Sequence, residues 1–212
     1  MFAGKRLLLA VFVSVIGLLG GVTPALASAP ALCDGAYQND SRLGPNNLPR
    51  PYQRPVGPIL AGYHRFGHLD AAAFLAKWWD NGWKYPPQDG YKLDHRGEPI
   101  KWVIELKPGQ DLDRFGSEFG AFLAPEGSPY ASRSIPPQSL NTFDPAYRCN
   151  YHSYEVKKAF KVWEGPIAPW FEQRGNGLQE KLDRALVPGD GPLNVSWLIA
   201  NGYLARNQTL SP

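Results

Sequence analysis

Two arginines, one glutamine and a set of nearby aromatic rings carry most of the chemistry in this sequence. Asp113-Arg114-Phe115-Gly116 follows a strand-and-turn pattern, and Phe122-Leu123-Ala124-Pro125-x-Gly127 comes soon after. Arg133-x-Ile135-Pro136-Pro137-x-Ser139-Leu140 is next. Further on, Ile167-Ala168-Pro169-Trp170-Phe171 leads to Gly175-x-Gly177-x-Gln179. Arginine forks hold pyrophosphate oxygens in pairs, and aromatic faces stack on bases. Glycine turns let backbone N–H groups come close to an anion. Together these suit a phosphate-bearing ligand that contains a ring, with Gln179 as the polar amide beside it. The competing reading makes Arg114 and Arg133 partners in structural ion pairs, with the glycines only turning corners.

Several other chemistries are excluded by missing signatures. There is no P-loop, no GxGxxG after a strand, no HExxH and no GxSxG. His64 and His68 lie four apart, but Gly62 and Gly67 beside them argue against a helix and so against a helical zinc pair. Of the remaining histidines, His95 and His152, neither can be picked as a general acid or base by spacing alone.

The chain has 212 residues, with 22 Lys+Arg against 19 Asp+Glu. Residues 1–27 read as a secretory signal. Lys5 and Arg6 precede the apolar run Leu7 to Leu19, and Ala25-Leu26-Ala27 supplies a small-x-small cleavage site. A membrane anchor is the alternative, but the run falls short of the roughly 20 residues needed to span a bilayer. Removing residues 1–27 takes away two basic and no acidic side chains, which lowers the net charge from +3 to 20 against 19, or +1. That balance predicts no nucleic-acid surface.

Secretion gives the two cysteines a meaning. Cys33 and Cys149 are the only pair available, and an oxidising compartment favours a bond between them over two buried thiols. The sequons at Asn39, Asn194 and Asn207 predict glycosylation in a eukaryotic host. With 22 Gly and 21 Pro beside 27 aromatic residues, the composition is that of a loop-rich fold with an aromatic core.

The elements that must position these residues are short. Residues 33–60 are broken by Pro49, Pro51, Pro55 and Pro58 and read as an irregular arm. Asp70 caps an expected helix over 71–79, whose Phe74, Leu75, Trp78 and Trp79 fall at helical spacing and read as core. Trp83 to Asp89 reads as a turn or linker. Strands are expected at 102–106, 119–123, 151–156 and 160–165, with one helix over 177–186 and a short last element at 195–198. This pattern has no βαβ rhythm, which gives an α+β fold: a small, mostly antiparallel sheet with a small helical N-terminal lobe. The expected division is a signal at 1–27, an arm and helical lobe at 28–95, and a catalytic domain at 96–212.

Six motifs in this order, DRFG, FLAP-x-G, R-x-I-P-P-x-S-L, YHSYEV, G-x-IAPWF and G-x-G-x-Q, make the chain resemble the tuberculosis necrotizing toxin domain family of secreted NAD+ glycohydrolases. The overlap runs from about Gly97 to Tyr203. The arm with RLGPNNLP and the Trp-rich helix also look like the N-terminal part of the family's fungal cell-surface members. By this resemblance Arg114 holds the NAD+ phosphates, Phe115 packs beside a ring, Phe122 lines the nicotinamide pocket and Arg133 is the second site arginine. Gln179 matches the glutamine essential for glycohydrolysis, at the end of the Gly175–Gly177 turn. His152 aligns with a histidine implicated in bacterial members, across a stretch, 144–150, that looks inserted.

The activity so implied is cleavage of the ribose–nicotinamide bond of NAD+, with NADP+ a second substrate if its 2′-phosphate projects to solvent. No cofactor is required, because the nicotinamide leaves without a proton. Two alternatives stand beside it. One is an ADP-ribosyltransferase, for which Glu180 next to Gln179 is the candidate acceptor-activating carboxylate; the other is an inactive NAD-binding surface protein. The fungal likeness also raises a homodimer and a structural calcium ion near the C-terminus. The tail 203–212 has no acidic residue, which leaves Asp183 and Asp190 as candidate ligands.

Overall fold

The computed structural model describes Met1 and residues 31–207. The expected signal segment, and the last two residues of the Asn207 sequon, lie outside the described residues. Seven strands form one antiparallel sheet: β1 (Trp102–Leu106), β2 (Asp111–Phe115), β3 (Phe122–Pro125), β4 (Tyr151–Val156), β5 (Phe160–Pro166), β6 (Leu178–Lys181) and β7 (Leu204–Arg206). Their order is β1-β5-β6-β3-β2-β4-β7. Among the described residues three short α-helices accompany them, beside several single 3-10 turns: α1 (Val56–Ile59), α2 (Ala71–Trp78) and α3 (Val195–Ala200). The class is α+β with the sheet dominant.

Register decides which side chains share a face, because strand side chains alternate. Asp113 lies opposite Ala124, and Leu123 opposite Glu180. Asp113, Ala124 and Gln179 therefore share one face, and Leu112, Leu123 and Glu180 the other. The second face is the main core. Leu106, Leu112, Leu123, Tyr154, Val162 and Leu182 are buried there, together with Val195 and Leu198 of α3. Asn194 starts that helix by accepting a hydrogen bond from the Trp197 N–H at 2.8 Å.

The expected helix over 177–186 is instead β6 followed by a turn. Leu178, Glu180 and Leu182 alternate with Gln179 and Lys181, a period of two. The free edges of β3 and β5 give this segment ladder partners on both sides. Pairing and burial outweigh the local helix propensity of Gln, Glu and Lys. The strand expected at 119–123 begins later, at Phe122, and Phe119 is exposed.

The arm and lobe, residues 31–95, are tied to the sheet at several points. Cys33 and Cys149 are joined in a disulfide. Arg65 donates to the carbonyls of Leu43 and Pro45 at 2.6 and 2.8 Å, which holds the RLGPNNLP segment down. Asp70 caps α2 by accepting from the Ala73 N–H at 2.8 Å. Phe74 on that helix is fully buried beside Trp78, Trp83, Trp170 and Phe171. The last two come from the loop between β5 and β6, so lobe and sheet region share one aromatic cluster. Trp78 also donates to Glu172 at 3.1 Å and Trp170 to the Lys84 carbonyl at 2.6 Å.

Two stability predictions follow from these contacts. The disulfide closes a loop spanning 116 residues. Replacing both cysteines by serine is expected to cost about 3–5 kcal/mol in urea unfolding. Glu180 is 1 % exposed and lies directly opposite Glu164 in β5. Burial, and then the Glu164 carboxylate, push its pKa up to about 8. The folded chain thus keeps a proton that the unfolded chain releases near ordinary carboxylate pH. That contribution is full below the unfolded pKa and is lost as pH rises through about 8. Glu180→Gln should remove the decline, gaining on wild type by up to about 1.4 kcal/mol per pH unit across that window. Urea titrations at several pH values measure it, and parallel stability profiles for the two proteins would contradict it.

Candidate active site

A cavity of about 590 Å³ opens beside β2, β3 and β6, and Arg114, Phe115, Phe122, Arg133 and Gln179 all line it. Five of the residues singled out in the sequence thus meet in one place. Tyr85, Pro86, Asp89 and Gly90 form a further wall. That wall comes from the segment that reads as a linker.

Arg114, the last residue but one of β2, folds back along the chain. Its Nε donates to the Gly116 carbonyl at 3.2 Å and its Nη1 to the Phe122 carbonyl at 2.6 Å. No carboxylate lies within ion-pair distance among the described residues, so its charge is not neutralised by contact. Burial lowers its pKa from the ordinary value, but a guanidinium remains charged. Gly120 makes this placement feasible: a Cβ there would stand 2.2 Å from Arg114 Nη2.

Arg133 behaves differently. Its Nη1 lies 2.5 Å from Asp113 Oδ1 and its Nη2 2.9 Å from Oδ2. Nε and Nη2 also donate to the Ser128 carbonyl, at 3.1 and 2.8 Å. Most of its donors are thereby committed, and Asp113, fully buried, cancels its charge. Tyr151 and the Gly127 N–H complete the Asp113 carboxylate at 3.0 and 2.9 Å. The Arg133 guanidinium lies over the Phe115 ring, 5.1 Å from its centroid. The ion-pair reading therefore describes Arg133, and the free-cation reading describes Arg114.

Gln179 is 8 % exposed, and its Nε2 donates to the Asp89 carbonyl at 2.9 Å. A carbonyl can only accept, so this bond fixes which end of the amide is which. Tyr91 packs over Gly165, the residue opposite Gln179 in the β5–β6 ladder. Burial holds the Tyr91 pKa well above its ordinary value, and its hydroxyl donates to the Trp163 carbonyl at 3.0 Å. The donor end of the amide is thus turned toward Asp89. Among the described residues no protein donor reaches Oε1. Lys181, two residues on, ion-pairs with the Asp89 carboxylate and lies 5.9 Å from the centroid of the Phe122 ring.

Three residues singled out in the sequence are not brought to the cavity. Gly175 and Gly177 donate their N–H groups to the Ala131 and Ser132 carbonyls, at 3.2 and 3.0 Å. Their lack of a side chain serves that closure. A Cβ on Gly175 would meet Ala168 at 2.7 Å, and one on Gly177 would meet Ser132 at 2.7 Å. These amides close the loop before β6 rather than facing the cavity. His152 pairs across β4 with Arg114 in β2, yet its ring stacks on Tyr147 at 4.1 Å between centroids. Its Nδ1 is 3.8 Å from Glu118, and burial outweighs that carboxylate to lower its pKa. Burial thus favours the uncharged ring.

Sequence reasoning missed Tyr85, Asp89 and Tyr91. The Pro86-Pro87 pair and Gly90 announce a turn, but nothing in their spacing says that the turn faces Gln179. Among the described residues no group of three or more His, Cys, Asp and Glu is placed to hold a metal ion. Asp183 accepts from the Ala185 N–H and from Trp163 Nε1, at 2.9 and 3.0 Å, and so serves the turn after β6.

Known proteins resemble this chain to different degrees. The family model of the tuberculosis necrotizing toxin matches residues 105–207. The conidial surface nicotinamide adenine dinucleotide glycohydrolase nadA of Aspergillus fumigatus is 47% identical over 189 residues, covering 84% of this chain and 76% of that protein. Among solved structures, the tuberculosis necrotizing toxin complexed with its immunity factor IFT is 24% identical with a TM-score of 0.43, over 58% of this chain and 61% of that chain. Rhs1-CT in complex with its cognate immunity protein RhsI1 is 18% identical with a TM-score of 0.29, over 45% and 81%. With nearly half its residues identical to nadA over most of both chains, this protein belongs to the tuberculosis necrotizing toxin family.

Proposed function

We propose that the protein is a secreted or cell-surface NAD+ glycohydrolase, which converts NAD+ and water to ADP-ribose, nicotinamide and a proton. The observation that carries this reading is the Gln179 amide, with its oxygen uncommitted, in the same cavity as an Arg114 that no carboxylate neutralises. Its kinship with a fungal NAD glycohydrolase supports the substrate. No helix among the described residues is long and apolar enough to cross a membrane.

The chemistry needs little from the protein. The nicotinamide of NAD+ is cationic, so the C1′–N bond breaks with its electron pair going to the ring nitrogen, and no general acid is required. The ribose becomes oxocarbenium-like, as in glycoside hydrolysis. Water then adds at C1′ and loses its proton to solvent. Arg114 fixes the pyrophosphate, and Phe115 and Phe122 give apolar walls for the rings. Gln179 Oε1 accepts a hydrogen bond from a ribose hydroxyl or from the attacking water and turns the negative end of its dipole to the developing cation. Arg133 acts on this site chiefly by holding Asp113 and Phe115 in place. His152, outside the cavity, pairs with Arg114 across the β2–β4 ladder.

The same reading includes secretion through residues 1–27, a catalytic unit over 96–212 with the lobe built onto it, and glycans at Asn39, Asn194 and Asn207. NADP+ is a second substrate in it. Glu180 projects from the face of β6 opposite Gln179, which speaks against a transferase that would need this carboxylate beside the ribose.

Incubation with NAD+ followed by product separation tests the assignment. Free ADP-ribose and nicotinamide are expected; ADP-ribose attached to protein would make it a transferase, and unchanged NAD+ would make it a binder. Gln179→Ala should lower turnover at least about 100-fold with the fold intact, as expected for a lost transition-state contact. Gly120→Ala tests the arginine. Its new methyl must displace the Arg114 guanidinium, so KM for NAD+ should rise about tenfold while stability changes by less than about 1 kcal/mol. An unchanged KM would remove Arg114 from phosphate binding.

A further inference from the structure

The turn ahead of the sheet bears on Gln179 more directly than its sequence suggests. Residues 90–92 dock on the end of β5 and the chain that follows it: Lys92 donates to the Pro166 carbonyl at 2.8 Å, and Ala168 to the Gly90 carbonyl at 2.9 Å. Tyr91, 1 % exposed, then lies over Gly165, the residue directly opposite Gln179 in the β5–β6 ladder. A Cβ on Gly165 would stand 2.8 Å from the Tyr91 ring and 2.4 Å from the Ile100 carbonyl. The only side-chain-free position on that part of β5 is thus filled by the tyrosine. Asp89 meanwhile adopts φ +58, a left-handed conformation uncommon for residues other than glycine. Its carbonyl accepts from Gln179, and its carboxylate ion-pairs with Lys181 on the same strand.

We infer that Asp89 and Tyr91 are positioning residues for the reaction, a clamp in which the Asp89 carbonyl holds the amide N–H of Gln179, the Tyr91 ring packs behind it over Gly165, and the amide oxygen is left facing the ribose. An unclamped glutamine could rotate its amide and present the N–H end, whose positive dipole opposes an oxocarbenium ion. The clamp favours one of these two orientations before substrate arrives, so its contribution belongs to the transition state rather than to substrate binding. It is supplied from outside the segment matched by the family model, which starts at residue 105. That segment alone therefore contains Gln179 but not the groups that orient it. Lys181 belongs to the same device, because its ion pair keeps the Asp89 turn against β6.

The clamp rests on the glycohydrolase reading for its kinetic consequence, but its geometry can be tested apart from activity. Tyr91→Phe removes only the hydroxyl, and with it the bond to the Trp163 carbonyl that seats the ring over Gly165. It is expected to lower kcat for NAD+ about tenfold with KM changed less than twofold. In the full chain labelled with ¹⁵N-glutamine, the Gln179 side-chain amide protons should be protected from exchange in wild type. At least one should exchange about tenfold faster in the variant. Lys181→Met, which leaves the buried hydroxyl in place, should move kcat in the same direction by a smaller factor, and it carries the test if Tyr91→Phe does not fold. Wild-type kcat in both variants, a loss expressed only in KM, or unprotected Gln179 amide protons in the wild type would each overturn the clamp. If wild type releases no nicotinamide, the glycohydrolase reading falls, and the exchange measurement alone decides whether the amide is held.

Discussion

A single buried carboxylate organises the centre of this molecule. Asp113 is fully enclosed on β2, yet it binds the Arg133 guanidinium, the Tyr151 hydroxyl of β4 and the Gly127 N–H of the turn after β3. Four separate segments therefore converge on one charge. A carboxylate in such a place is tolerable only when its lone pairs are satisfied, and removing one partner of a buried pair typically costs about 3–5 kcal/mol. The pair therefore fixes geometry more than it adds stability. It sets the height of the Phe115 ring under Arg133 and closes the turn through Gly127. It also holds the 128–133 segment, whose carbonyls accept the Gly175 and Gly177 N–H groups ahead of β6.

The charges of the cavity follow from that constraint. Asp113 and Arg133 cancel, and so do Asp89 and Lys181. Arg114 remains as the cation without a carboxylate in contact. NAD+ carries a dianionic pyrophosphate at one end of the ribose and a cationic nicotinamide at the other. One net positive group suits the pyrophosphate, while neutral pairs elsewhere avoid repelling the ring that must leave. A net charge of only +3 over 212 residues points the same way: recognition depends on one placed guanidinium and not on a broad basic field.

How much of this was legible in the sequence depends on whether the signal was local. The class was readable, because short strands without a βαβ rhythm leave few architectures, and α2 announced itself through Asp70 and its apolar spacing. Arg114, Phe115, Phe122 and Gln179 were readable because they stand in ordered motifs. The strand nature of 178–181 was not, since Gln, Glu and Lys favour a helix and only the edges of β3 and β5 decide otherwise. The division of labour between the two arginines was equally hidden. It depends on Asp113 being buried against Arg133 and not against Arg114, although Asp113 is the residue next to Arg114 in the chain. Neighbours along a strand point to opposite faces, and that alternation separates them.

The same alternation settles what kind of catalyst β6 can be. Gln179 and Glu180 are adjacent in sequence, and a carboxylate would seem the better partner for a cationic transition state. Placed in this cavity, however, it would face a leaving group that is also cationic in the ground state. A full negative charge would stabilise bound NAD+ as well as its transition state, and uniform binding does not lower the barrier. A fixed amide dipole is weaker but can be aimed at C1′. The fold buries the carboxylate on the far face, where its surroundings keep it protonated near neutral pH, and gives the cavity face to the amide. Weak polarity in a determined orientation is enough when the leaving group departs without help, and determining that orientation is the task the surrounding segments perform.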